Sequence, residues 1–292
     1  MASRAAVFMI KLLAELPFFV LYKISSLLKV IVFDIFGYRK DVIERNLSQS
    51  FPDKTEKEIT AIISKFQLHL TDVIVETLKC CTITKTELQS RFVFENPELL
   101  NRYHEQGRSI ITVLGHYGNW EMAGMAYSVC ARHKPNLVYR PLSNLVFNDF
   151  IFSVRTRFGG DLIPEGKIFK RMYREHKDGV VTNTALIGDQ TPLKNRGKNI
   201  NFLGRPTPFF EGPEQLAKRF NYPVLFARVK KVKRGYYSCR FEVITDSPGQ
   251  LPNGKITKIH AKKLQESIAQ QPEFWLWSHR RWKHAPDLLQ NQ

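Results

Sequence analysis

The sequence predicts an α/β fold, a mixed and partly parallel sheet flanked by helices, with an N-terminal apolar, membrane-associated helical segment. Three observations predict it. From residue 109 onward, short apolar runs alternate with helical stretches, the pattern of βαβ units. A later stretch, "PVLFARVKKVKRGYYSCRFEVI", reads as a hairpin turning at "KRGY", which adds antiparallel strands. The first 36 residues are crowded with Leu, Ile, Val and Phe but interrupted by Lys11, Glu15, Lys23, Lys29 and Asp34.

That leader has no run approaching the roughly 20 apolar residues of a clean spanning helix, and no small-residue cleavage site after a compact apolar core. Lysines scattered among large apolar residues fit a segment lying in the membrane interface, with their stems snorkelling. A tilted single span and a helix buried in the domain core are the competing readings. Residues 1–45 are therefore expected to form an anchor or interfacial helices, and residues 46–292 one catalytic domain, because no Gly-, Pro- or Ser-rich linker divides them.

"TEKEITAIISKFQLHLTDVIVETLKC" has helical spacing and a cap near Thr55. "SIITVLG" is a buried strand, "NWEMAGMAYSVCAR" a helix and "NLVYRP" a strand. "NLVFNDFIFSVRTRFGG" is a helix ending at two glycines. "DLIP", "GKIFKRMYREHKDG" and "VVTNTALIG" repeat strand, helix, strand. "KNINFLGRPTPFF" is extended, and "GPEQLAKRF" is a short helix with Pro213 in its first turn. "KITKIHAKKLQESIAQQ" is the last helix before an aromatic tail, "PEFWLWSHRRWKH", which reads as core plus rim or as an interfacial segment.

A hydrophobic content of 43% in 292 residues excludes disorder and supports a sizeable core. The formal charge of +17 favours an anionic partner: nucleic acid, an anionic membrane, a phosphorylated substrate or an acidic protein. Basic stretches at Lys194–Lys198, "RVKKVKR" and "HRRWKH" admit nucleic acid, but no helix-turn-helix, zinc-finger or RNP pattern accompanies them. Cys80, Cys81, Cys130 and Cys239 have neither CxxC spacing nor His partners at ligand spacing, so reduced thiols are expected and no metal site.

Chemistry concentrates in "LGHYGNWEMAG", residues 114–124. Five helical positions turn 500°, so His116 and Glu121 share no helix face. The spacing suits a strand-to-helix corner instead, with His116 at a strand end, Asn119 as the helix cap and Glu121 in the first turn. Such a turn can return the carboxylate onto the imidazole and fix its tautomer. A capped helix start with an incidental histidine is the simpler reading. One His and one Glu lack the further ligands of a metal site, and no GxSxG elbow signals a serine nucleophile.

In chain order, "GHYGNWE", "VYRPLSN" with "VRTRFGGDLIP", "LIGDQTP", "NFLGRPTPFFEGPEQLAKRFNYPV" and "EFWLWSHRRW" resemble the bacterial lipid A biosynthesis acyltransferases. These belong to the lysophospholipid-acyltransferase-like, H-x4-D/E superfamily. The apolar leader and "RKDVIERNLSQSFPD" match the same layout. The resemblance implies a membrane-bound acyltransferase of lipopolysaccharide biosynthesis on the cytoplasmic face of the inner membrane. It would move an acyl chain from acyl carrier protein to a lipid A precursor hydroxyl, with no cofactor. By resemblance His116 is the general base and Glu121 its orienting partner. Arg140 and Arg157 are candidates for holding phosphate, although Arg157 near a helix end also suits a purely structural place. Asp189 and Gln190 match an Asp-Gln pair that lines the same crevice or serves only in structural hydrogen bonds. By the resemblance Asn119 and Gly212 are also candidates for binding substrate, and Gly212 with Pro213 shapes the pocket. Phe209, Phe210 and Glu211 depart from the small hydroxyl residues frequent in the family, leaving acyl length and acceptor open. Transfer to another amphiphile, and a catalytically inactive membrane-binding protein of this fold, remain alternatives.

Overall fold

A computed structural model describes residues 2–193 and 197–283. The chain opens with α1 (Ala2–Glu15) and α2 (Phe18–Lys29), which continues as a π-helical turn, Val30–Ile35. Pro17 separates the two helices, because its ring removes a backbone donor and starts α2 afresh. Among the described residues no helix is long and apolar enough to cross a membrane. The apolar leader is two helices broken at Pro17, the second running on into its π-helical turn.

The leader also contributes to the core. Ala14, Phe18, Leu21, Ser25 and Phe33 are buried, and Ser25 Oγ donates to Asp72 Oδ1 at 2.7 Å on α4 (Glu56–Lys79). The boundary expected at residue 45 falls inside α3 (Lys40–Ser50), whose Ile43 and Leu47 share one apolar cluster with Phe66 and Phe226. Four-residue spacing puts both on one helix face, and that face is fully covered. Thr55 caps α4 through a complete capping box with Glu58.

Three elements that the sequence reading did not pick out follow: α5 (Lys85–Arg91), strand β1 (Phe92–Phe94) and α6 (Pro97–Glu105). The alternating region then forms as expected. It runs β2 (Ile110–Leu114), α7 (Trp120–Cys130), β3 (Lys134–Tyr139), α8 (Leu145–Thr156) and β4 (Asp161–Pro164). After these come α9 (Ile168–Lys177) and β5 (Thr182–Ile187). A small hairpin, β6 (Lys198–Phe202) and β7 (Arg205–Phe209), precedes α10 (Gly212–Phe220). Strands β8 (Val224–Lys233) and β9 (Tyr236–Thr245) form the long hairpin around Arg234-Gly235, and α11 (Lys255–Gln270) ends the regular structure.

The main sheet has the order β1-β9-β8-β2-β5-β3-β4, parallel throughout except for the β8–β9 pair. β2 is central and every residue in it is buried, the expected state of a strand covered on both faces. Its side chains alternate between two cores. Ile111 and Val113 join α9, α10 and α11 through Met172, Ala217 and Leu264. Ile110 and Leu114 join α7 and α8 through Met122 and Val154. The aromatic tail is core: Trp275, Trp277 and Trp282 are all buried. All four cysteines are free thiols. Lys194, Asn195 and Arg196 of the basic loop, and His284 of "HRRWKH", lie outside the described residues.

Candidate active site

β2 and β5 pair in parallel register with Leu114 opposite Ile187. Two residues past each of these, at adjacent strand ends, stand His116 and Asp189, so the register itself sets them side by side. Asp189 Oδ1 accepts from His116 Nδ1 at 2.6 Å, and Oδ2 accepts from the His116 backbone N–H at 2.7 Å. Trp275 Nε1 donates a third bond to Asp189 at 2.8 Å. A carboxylate only accepts, so Nδ1 carries a proton, and in the neutral imidazole Nε2 is the nitrogen with the free lone pair. Gln190 Nε2 lies 3.2 Å from that nitrogen. Burial would raise the Asp189 carboxyl, but the His116 charge and these hydrogen bonds hold it below the usual carboxylate range.

The turn between His116 and α7 is tightly packed. A Cβ on Gly115 would lie 2.6 Å from Leu264, and Gly118 sits at φ +62° against Val229, so neither position has room for a side chain. Asn119 caps α7 as expected, its Oδ1 accepting from the Met122 N–H at 2.8 Å. Its Nδ2 donates to the buried Glu76 at 2.7 Å. Asn119 is fully buried and both ends of its amide are engaged, so it shapes the corner rather than contacting a ligand.

Glu121, expected on the imidazole, is turned the other way. In the first turn of α7 it faces α8, where Arg155 Nε and Nη2 donate to its two oxygens at 2.8 and 2.5 Å. This fork-to-fork pairing satisfies the carboxylate fully. Arg157, expected to hold phosphate, begins the turn after α8 and donates to the carbonyls of Cys80 and Ile83 at 3.0 and 2.5 Å. It locks a helix terminus instead. The sequence reading passed over Arg155 for Arg157; the structure shows that Asn148, Ile151 and Arg155, at i, i+3 and i+7, form the α8 face toward the cavity. Arg140 is largely exposed at the cavity lip and pairs with Glu165 at 2.9 Å.

His116, Glu121, Arg155 and Gln190 line a cavity of about 680 Å³, within the roughly 300–1,000 Å³ of small-molecule sites. Its mouth, at the strand C-terminal ends, includes Arg140, Phe210, Gly212 and Pro213. Inside, it runs between the sheet and α7 along Thr112, Ala123, Leu137 and Ala227. Phe94, Tyr127 and Phe241 pack ring against ring, 5.5–6.4 Å apart, and wall one end. Phe209 is fully buried against Phe202 and takes no part in the lining; Phe210 does. Among the described residues no group of three metal-ligating side chains is placed to hold an ion.

A second polar cluster supports the corner from below. Glu76 accepts from Tyr22 Oη, Asn119 Nδ2 and Tyr237 Oη at 3.1, 2.7 and 2.8 Å. His69 Nε2 donates to the Gly118 carbonyl at 3.1 Å, and its Nδ1 accepts from Lys231 Nζ at 3.1 Å. Burial and the Lys231 charge push the His69 imidazole well below its usual range, so it is a neutral strut. Sequence reading missed this cluster, because its members come from α2, α4, the α7 cap, β8 and β9, far apart in the chain.

An imidazole aimed by a buried carboxylate, at the mouth of an apolar cavity, suits proton abstraction from a hydroxyl on an apolar-chain substrate. No curated protein matches the chain. A family model described as bacterial lipid A biosynthesis acyltransferase matches residues 3–284, nearly the whole chain. That match makes the protein an enzyme that transfers acyl groups, and the chain belongs to the bacterial lipid A biosynthesis acyltransferase family.

Proposed function

We propose that this protein is a membrane-associated enzyme moving a fatty acyl chain from acyl carrier protein to a hydroxyl of a lipid A precursor, with His116 as the base. The observation that carries the reading is the Asp189-held imidazole at the mouth of the apolar cavity. His116 Nε2 takes the hydroxyl proton as the oxygen attacks the thioester carbonyl. The tetrahedral intermediate collapses, the carrier thiolate leaves, and the imidazolium returns the proton to its sulfur. Asp189 stabilises that imidazolium. Gln190 Nε2, 3.2 Å from His116 Nε2, and the Glu121-held Arg155 in the same cavity wall are our candidate donors for the developing oxyanion. Arg140 at the lip is the cation available to a phosphorylated sugar.

The cavity interior suits the acyl chain, walled off by Phe94, Tyr127 and Phe241. Ala227→Leu is expected to shift preference toward donors at least two carbons shorter, by about 10-fold, as one methylene in a filled pocket can. Competition among donors of different length, read by mass spectrometry, checks this. An unchanged product profile would place the chain elsewhere.

Membrane association is supported by large apolar side chains left exposed on the leader, among them Phe8, Leu12, Phe19, Leu27, Ile35 and Phe36. Changing Phe8, Leu12 and Phe19 together to Ser is expected to move the enzyme into the soluble fraction without lowering its Tm, because none of the three is buried. Retention in the membrane pellet would count against this face as the anchor.

The direct test is transfer from acyl carrier protein to an under-acylated lipid A precursor, followed as a one-acyl mass gain. Gain by wild type supports the reading. A folded wild type that acylates only a glycerolipid or aminolipid would replace the acceptor.

A further inference from the structure

α9 carries a surface that the proposed chemistry leaves unused. It buries Met172 and Glu175 and turns Phe169, Lys170, Tyr173, Arg174 and Lys177 outward, directly after the exposed Lys167. Glu175, the helix's one carboxylate, is buried and taken by Arg171 and Asn136. The helix itself therefore turns cations and two aromatics outward and no carboxylate, with the exposed Glu165 and Asp178 lying beyond its two ends. Phe169 and Tyr173 are 51% and 56% exposed, yet their rings are fixed, stacked 6.5 Å apart at 21°. Phe169 also rests on Phe220 of α10 at 5.8 Å. Rigid exposed aromatics with arginine beside them are the composition of an interface centre.

The position of α9 is as telling as its composition. Ile168, its first residue, and Glu165 just before it line the catalytic cavity. Ten residues carry the helix about 15 Å away from that lip. A partner lying along α9 would therefore hold a flexible thioester arm at the cavity mouth.

We propose that α9 is the docking face for the acidic carrier protein that delivers the acyl chain; this rests on the carrier-bound donor proposed above. Charge complementarity selects an acidic partner and speeds its encounter, and the stacked pair supplies an apolar centre. An anionic bilayer has the same charge, but α9 packs on the opposite sheet face from α1 and α8. Met172 belongs to the core of α10 and α11, whereas Val7, Ile10 and Val154 belong to that of α7. The exposed apolar side chains of α1 lie with the latter.

The experiment uses the full-length enzyme and one acceptor with two donors, acyl carrier protein and the same acyl group on pantetheine. Lys170→Glu with Arg174→Glu should raise KM for the carrier-bound donor at least 10-fold. kcat, the pantetheine KM and sedimentation with phosphatidylglycerol vesicles should stay at wild-type values. Phe169→Ala with Tyr173→Ala should raise the same KM with weaker salt dependence. An unchanged carrier KM overturns the docking face, and so does an equal rise for both donors. Loss of vesicle binding instead makes α9 a membrane contact. A wild type that uses the pantetheine donor and ignores the carrier protein defeats the donor reading itself, and this surface with it.

Discussion

If His116 is the base, Asp189→Asn is expected to lower acyl transfer about 10³-fold or more, approaching the loss expected from His116→Ala, by the arithmetic of other carboxylate-oriented histidine bases. The carboxylate accepts three hydrogen bonds, two of them from His116 itself. An asparagine can offer its N–H to Nδ1, which moves the imidazole proton to Nε2 and removes the lone pair that takes the hydroxyl proton. Glu121→Gln acts through Arg155 and leaves the imidazole tautomer in place, so its loss is smaller. Initial rates with each variant decide between them. A nearly active Asp189→Asn beside an inert Glu121→Gln would make Glu121 the partner of the imidazole during turnover. Stability follows the same carboxylate. Its pKa is lowered from 3.8 in the fold, so its contribution is present at neutral pH and is lost as pH falls below that value. The deficit of Asp189→Asn is therefore expected at pH 7 and closes in acid.

Glu76→Ala is expected to cost about 3 kcal/mol or more, because it leaves several buried donors without an acceptor. Those donors are Tyr22, Asn119 and Tyr237, which reach it from three elements. Tm should fall by roughly 5–10 °C, and transfer should drop as Asn119 loses the anchor that holds the His116 corner. Glu76→Gln keeps the volume and one acceptor and is milder. Burial raises the Glu76 carboxyl above 4.5, against the pull of Lys231 and the donors from Tyr237 and Asn119. Ionising it therefore costs stability as pH rises through its raised value, and the gap between wild type and Glu76→Gln narrows over that range. A wild-type Tm for Glu76→Ala would show that water replaces the carboxylate at no cost.

The catalytic corner shows how far local pattern reaches. The apolar run before His116 and the capping Asn119 announce a strand end and a capped helix, and that is what forms. The direction of Glu121 was not legible, because it depends on Arg155 of α8 waiting across the cavity. Asp189 was picked out as a crevice residue, but its hold on His116 depends on β5 crossing back to lie beside β2, with β3 and β4 displaced outward. Local spacing carries no information about which parallel strand is the neighbour. Arg157 has a similar history: its place past the end of α8 gave it carbonyls to cap rather than a phosphate to hold.

The leader divides along the same line. Its sparse charges excluded a clean span, and the helices are in fact short and broken at Pro17. Which of its apolar side chains face the core, Phe18 and Leu21 among them, was set by the α4 surface they meet. By itself the sequence determined the alternation of strands and helices, the long hairpin, the caps and the place of His116 at a strand end, since each follows from side-chain periodicity and local backbone preference. The tertiary structure alone decided strand order, the partners of His116 and Glu121, and the walls of the cavity, because these depend on long-range register and on which buried charges find each other.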